Sequence, residues 1–352
     1  MDSTDEVIIE RRGSAGLIRL NRPQALNSLT LPMIRAVATA LDDFAADPSI
    51  AGVIVKGEGE RAFCAGGDIR LLHQSGKEKS DGAESFWREE FHLNNAIAHY
   101  PKPYVALMDG ITMGGGVGLS AHGSHRVVTE RTRLAMPETG IGYFPDVGAT
   151  WLLSHMPDET GTWMGLTGLV VNAADALDTR LADHCVASSD LPALIEAIGA
   201  LPATASAADV HGVISGMAID AGESRLTTNR HVIDRALAHD TVENILQALA
   251  QEPGDFAAET AEVIATRSPT SLKLTLRLLR AGRASASLAE CLNRELGACL
   301  GILYNPDFYE GVRAAVIDKD RNPKWSPASL ADVEDAAIER FFVPAQPPLF
   351  AA

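Results

Sequence analysis

Aromatic residues are scarce: Phe, Trp and Tyr make up 5% of the 352-residue chain. A core must then rest on aliphatic and small side chains, and the abundant Ala and the 30 Gly suit close backbone packing. Cysteine is sparse too. Cys64, Cys185, Cys291 and Cys299 are scattered with no C-x-x-C pair, which points to free thiols in a reducing compartment. No apolar run is long enough to span a bilayer, so no membrane partner is expected. The opening MDSTDEVIIERR is acidic and then strand-like. It has neither a secretory signal nor the acid-poor character of a transit peptide, and a cytoplasmic location is the expectation. The ten His show no H-E-x-x-H or other ligand spacing, so no metal is expected. Basic charge is in deficit as well. With 30 Lys and Arg against 46 Asp and Glu, the net charge of −16 excludes nucleic acid as a partner. A small anionic ligand stays compatible, through a local basic patch or backbone donors.

What is present reads as a globular chain, 46% hydrophobic and 22% charged. Val7–Arg11 and Leu17–Leu20 read as a hairpin turning through Gly13 to Gly16. Thr30 is placed to cap a helix whose apolar positions Met33, Ile34, Val37, Leu41 and Phe44 recur at helical period. AGVIVKG (51–57), YVALMDG and HRVVTE read as strands, and Phe86–His99 as a helix. Beyond about residue 201 strand-like segments vanish and helical ones dominate. The expected organisation is an α/β core over 1–205 and a helical region over 206–352, with a poorly ordered tail PAQPPLFAA.

The stretch from Ile111 to Gly148 carries the chemistry. It opens with ITMGGGVGLSAHG, where Gly114, Gly115 and Gly116 sit at a strand-to-helix turn. Backbone amides at such a turn, aided by the helix dipole, can hold an anion. The bland alternative is tight packing that tolerates no side chain. A second glycine pair, Gly66–Gly67 in AFCAGGD, favours the functional reading, because a two-donor oxyanion hole needs amides from two turns. Asp68 is placed to cap the helix that follows. The stretch closes with MPETGIGYFPDVGA, in which Glu138 and Asp146 stand among Met136, Ile141, Tyr143, Phe144 and Val147. Acids in an apolar loop acquire raised pKa values and can shuttle protons. Alone, Glu138 reads as solvated loop and Asp146 as a helix N-cap. Glu89 and Glu90 project about 100° apart on a helix, so at most one faces inward.

Several other signals fail. GEGERA after a strand mimics a dinucleotide fingerprint, but Cys64–Gly67 interrupts any helix that should follow. There is no G-x-S-x-G elbow, since His122 stands where its last glycine belongs. Ser120 reads as helix packing, and Cys64 as a structural thiol.

With RPQALNSL, AFCAGGD and YVALMDGITMGGGVGLS together, the chain resembles the crotonase (enoyl-CoA hydratase/isomerase) superfamily. REEF, MPETGIGYFPDVGA, SPTSLKLTLRLL and DFYEGVRAAVIDKDRNPKW bring it nearer to the 3-hydroxyisobutyryl-CoA hydrolases within it. The resemblance runs from about residue 7 to 334. It implies an α/β fold, a spiral of repeated strand–strand–helix units followed by helices that cover the site or mediate assembly, with a trimer-based homo-oligomer as one outcome. It implies an acyl-CoA substrate, no cofactor beyond the coenzyme A that enters with that substrate, and a place in valine catabolism. By the same likeness, Gly67 and Gly115 donate the oxyanion-hole amides. Ala65 and its neighbours contact the adenine end of coenzyme A, Gly66 and Gly114 count among the substrate-binding residues, Glu138 and Asp146 are the catalytic pair, and Glu90 lines the acyl pocket. Two-glutamate hydratases carry a second catalytic Glu shortly after the triple glycine. That position here is Gly118, which has no side chain to offer.

The expected activity is hydrolysis of a short β-hydroxyacyl-CoA thioester, 3-hydroxyisobutyryl-CoA foremost. Glu138 would act on water or directly on the carbonyl. The alternatives are an enoyl-CoA hydratase or isomerase using the same hole for an enolate, and a CoA-ester-binding member that kept the fold without the chemistry.

Overall fold

The computed structural model describes residues 5–351. Contacts group the chain into two compact units woven from alternating stretches: Met1–Gly67, His92–Leu134 and Val170–Ser224 in the first, and Asp68–Phe91, Ala135–Leu169 and Arg225–Ala352 in the second.

The first unit holds the sheets. Its strands are β1 (Val7–Arg12), β2 (Ala15–Leu20), β3 (Gly52–Gly57), β4 (Ala62–Cys64), β5 (Tyr104–Met108), β6 (Ile111–Met113), β7 (His125–Val128), β8 (Arg133–Ala135, whose last residue falls in the second unit) and β9 (His184–Cys185). Six of them pair in the order β1-β2-β3-β5-β7-β9 and three in the order β4-β6-β8. β1 and β2 form the expected antiparallel hairpin, and from β2 onward each neighbour in the larger sheet is parallel. Successive strands alternate between the sheets: β3 then β4, β5 then β6, β7 then β8. This is the strand–strand–helix spiral that the resemblance implied.

Parallel strands are covered on both faces, and their sequences are accordingly near-continuous apolar runs such as GVIV and YVALM. The register aligns Leu17 with Ile54, Ile54 with Val105, and Leu107 with Val127. That row packs against Leu191, Leu194 and Ile198 of helix Leu191–Gly199 and Val210 and Ile214 of helix Ala207–Ser215. Thr30 caps helix Leu31–Ala46 by accepting from Met33 N, a contact worth about 1 kcal/mol. The helix buries Met33, Ile34, Val37, Leu41 and Phe44, the face its period predicts.

After β9 no further named strand occurs among the described residues, so the change in element type near residue 205 is real, while the compact units interleave across it. The second unit's main helices are Pro269–Arg283 and Leu288–Ile302, capped by Ser268 and Ser287.

Two expectations need correcting. The tail is packed: Ala345 and Leu349 are buried, and Asn293 Oδ1 accepts from Leu349 N at 2.8 Å and Phe350 N at 3.1 Å. Ala352 lies outside the described residues. Asp68 stands at the N-cap of helix Ile69–Glu78, yet its carboxylate makes no capping bond. All four cysteines are free thiols and buried.

Candidate active site

The RPQALNSL segment fixes the first glycine turn. Asn27, at φ +55°, donates through Nδ2 to the carbonyls of Glu58 and Ala62 at 3.0 and 2.9 Å, and its Oδ1 accepts from Arg22 N. Ala65 N then donates to Leu26 O at 3.0 Å, Leu29 N donates to Gly66 O at 2.8 Å, and Gly67 bridges to Leu29. Ala65 and Gly67 are half-buried and Gly66 is buried.

The second turn lies against the first. β6 runs into Gly114, at φ +49°, which starts helix Gly115–Ser120. A Cβ at Gly66 would fall 3.2 Å from Met113 O and 3.4 Å from Gly115 N, and Gly66 itself has φ +103°. A Cβ at Gly116 would fall 2.2 Å from Cys64 O. Only glycine fits both the left-handed backbone and the gap. The first unit thus brings the Gly66–Gly67 and Gly114–Gly115 turns side by side. Ser120 donates to Gly116 O at 2.7 Å, a packing role inside the helix.

In the second unit the loop after β8 gathers acids. Glu138 opens a single turn of 3-10 helix, Glu138–Ile141. Asp146 does not cap a helix with its side chain. The helix that follows is Ala149–Ser154, with Gly148 at its N-cap. Asp146 Oδ2 instead accepts from the Tyr143 hydroxyl at 2.9 Å. Glu90 arrives on helix Gly82–Ala98 and is buried, whereas its neighbour Glu89 is only half-buried, within the limit of one inward-facing acid that helical geometry sets.

Burial dominates the electrostatics of these acids. It pushes Asp146 up to about 7, against the Tyr143 hydrogen bond, which pulls it down. Glu138 and Glu90 are raised well above the ordinary range by burial first and the Asp146 charge second. Glu138 Oε2 and Glu90 Oε1 are buried and make no hydrogen bond within the protein. Buried acceptors of this kind are uncommon away from binding and catalytic centres. Carboxyl groups whose pKa values burial raises in this way can accept, hold and return a proton.

Three neighbours escaped the sequence reading. Tyr143 stacks on Phe144 with ring centroids 4.8 Å apart, and its hydroxyl lies 2.9 Å from Cys299 Sγ. Glu295 is wholly buried; its Oε2 accepts from Gly148 N at 2.7 Å and its Oε1 from Thr150 N at 3.0 Å. Tyr143 sat in view among the loop's apolar residues. Glu295 and Cys299 left no local signal beyond their i, i+4 spacing, because they meet the loop from about 150 residues away.

Comparison with known proteins decides the family. The enoyl-CoA hydratase/isomerase family model matches residues 15–342. The chain belongs to the enoyl-CoA hydratase/isomerase family. Within the family it is 46% identical to the mitochondrial 3-hydroxyisobutyryl-CoA hydrolase of Rattus norvegicus, over 96% of this chain and 89% of that protein. Against the Homo sapiens protein of the same description the identity is 44%, over 97% and 89%. Among solved structures it is similar to a carnitinyl-CoA dehydratase from Mycobacterium thermoresistibile, with TM-score 0.93 and 41% identity over 99% of each chain. It is also similar to an enoyl-CoA hydratase from Rhodobacter sphaeroides 2.4.1, with TM-score 0.90 and 38% identity over 98% and 100%. The names of these family members span hydrolysis and hydration, so fold alone does not choose the reaction. The word mitochondrial in the relatives' names gives the cytoplasmic expectation no support. Among the described residues, no helix is long and apolar enough to cross a membrane.

Proposed function

We propose that this family member hydrolyses a short β-hydroxyacyl-CoA thioester, 3-hydroxyisobutyryl-CoA foremost, to the free acid and coenzyme A. The carrying observation is the set of buried acids, Glu138, Asp146 and Glu90, in a chain that has glycine at 118. A two-carboxylate hydration needs an acid at that position. Thioester hydrolysis does not, because thiolate leaves readily and the demanding step is attack on the carbonyl.

In this reading the amides of Gly67 and Gly115 receive the thioester oxygen as it gains charge, each worth about 3–4 kcal/mol of barrier. Ala65, Gly66 and Gly114 line the path of the coenzyme A chain. Glu138 removes a proton from the attacking water, or attacks the carbonyl itself to give an anhydride that water then opens. Asp146 accepts and returns the proton. Glu90 hydrogen-bonds the substrate hydroxyl, and analogues without that hydroxyl leave it unpaired. The substrate brings its own coenzyme A, and the reaction requires no further cofactor. The product places the enzyme in valine breakdown, and a trimer-based homo-oligomer belongs to the same reading.

The names of the solved relatives favour a second reading, hydration of an enoyl-CoA, with Asp146 standing in for the absent glutamate. An acyl-CoA panel that follows free thiol and product mass together separates them. A hydrolase releases free coenzyme A from the hydroxyacyl ester. A hydratase consumes enoyl absorbance and releases no thiol, and that result would remove the hydrolase reading.

A further inference from the structure

Asp146 is followed by two residues with left-handed backbone, Val147 at φ +56° and Gly148 at φ +80°. Glycine takes this conformation freely. A β-branched side chain is crowded by it, and such a residue keeps the conformation only where its surroundings enforce it.

A distant helix reaches the backbone just after this turn. Glu295 Oε2 accepts from Gly148 N at 2.7 Å, while its Oε1 accepts from Thr150 N at 3.0 Å and from the Thr150 hydroxyl at 2.6 Å. Both carboxylate oxygens are engaged, and the side chain has no solvent exposure. One helical turn further on, Cys299 Sγ lies 2.9 Å from the Tyr143 hydroxyl that donates to Asp146. Helix Leu288–Ile302 therefore grips the loop twice, at the backbone just after Asp146 and, through Tyr143, at its carboxylate.

We infer that Glu295 is a positioning residue: by pinning the amides of Gly148 and Thr150 it holds the left-handed Val147–Gly148 turn and so aims the Asp146 carboxylate. This inference rests on the proposed role of Asp146. A purely architectural acid would stabilise the loop without affecting turnover by the folded molecule.

The test is a double-mutant cycle in the full chain, using Glu295→Gln, Val147→Gly and the pair, with Asp146→Asn beside them. Thiol release from 3-hydroxyisobutyryl-CoA gives kcat and KM, and calorimetry gives Tm. Glutamine keeps one acceptor but turns an N–H₂ group towards donors. Glu295→Gln is expected to lower kcat by about ten- to a hundredfold with KM within about twofold, the scale of a slightly misplaced catalytic group. The loss should be smaller in the Val147→Gly background, because glycine adopts the left-handed turn without the steric cost that the clamp offsets for valine.

An unchanged kcat per folded molecule in Glu295→Gln, or an equal loss in both backgrounds, overturns the inference. If Asp146→Asn is inactive while Glu295→Gln is not, the positioning role alone fails. If Asp146→Asn turns over normally, the reading of Asp146 fails and takes this role with it. Should Glu295→Gln not fold, Glu295→Asp, which keeps the charge but draws the carboxylate back from the Gly148 and Thr150 amides, enters the same cycle and is held to the same outcomes.

Discussion

The Tyr143 hydroxyl donates to Asp146 Oδ2 at 2.9 Å, and both side chains are buried. Burial is the larger influence on Asp146, and that bond is the leading one opposing it, so it limits how far the acid's pKa rises. Removing it with Tyr143→Phe leaves the charged form without its donor, and the Asp146 pKa rises above about 7. The acid limb of the pH–kcat profile is expected to move upward; a shift of about one pKa unit lowers turnover about tenfold well below the limb and about fivefold at neutral pH. A profile identical to wild type would contradict the assignment.

Glu138→Gln keeps the shape of the side chain and removes its basicity. Thiol release is expected to fall by about 10²–10⁴-fold, the usual contribution of a positioned acid–base group. Binding of the CoA ester, followed by calorimetry, should survive. Undiminished hydrolysis would remove Glu138 from the mechanism.

Asp146→Asn makes a stability prediction as well as a kinetic one. The folded pKa of about 7 lies above the ordinary 3.8, so between those values the native state binds more protons than the unfolded chain. Stability attributable to this group therefore falls as pH rises from about 4 to about 7 and is level above that. The asparagine variant escapes the penalty. Its Tm should exceed that of wild type by several degrees at pH 8 and by little at pH 4, while its activity is lost. A Tm gain independent of pH would show that Asp146 does not titrate as described.

Glu90→Gln tests selectivity rather than rate. Wild type should prefer 3-hydroxyisobutyryl-CoA to isobutyryl-CoA strongly, because a buried group built for a hydroxyl is left unpaired without one. The ratio of kcat/KM values is expected to shrink by about tenfold in the variant, the scale of one hydrogen bond to a charged or strongly polar group. An unchanged ratio would free Glu90 from the substrate.

Gly66→Ala adds one carbon where φ is +103° and Met113 O lies 3.2 Å away. The two glycine turns must then shift apart. A loss of about 10–10³-fold in kcat with a nearly constant KM is expected if their amides stabilise a developing oxyanion. A variant that raises KM alone would assign the turns to binding.

The sequence alone determined the parts whose cause is local. Glycine at 66, 114 and 116 is demanded by backbone angles or close approach. The cap at Thr30, the hairpin at Gly13 and the limit of one inward-facing acid between Glu89 and Glu90 follow from spacing within one element. Even the acids Glu138 and Asp146 drew notice, through the apolar residues of their own loop. Tertiary structure decided what those acids are. Burial raises their pKa values, and burial is a property of everything packed around a side chain. Glu295 and Cys299 reach the loop from a helix about 150 residues further along, and no periodicity or motif records such a meeting. The left-handed turn at Val147 was equally hidden, since a β-branched residue argues locally against it and the Glu295 carboxylate that binds the amides just after it comes from a remote helix. The tail was misread for the same reason: its composition suits disorder, but Asn293 gives its backbone a partner that the tail's own residues do not reveal.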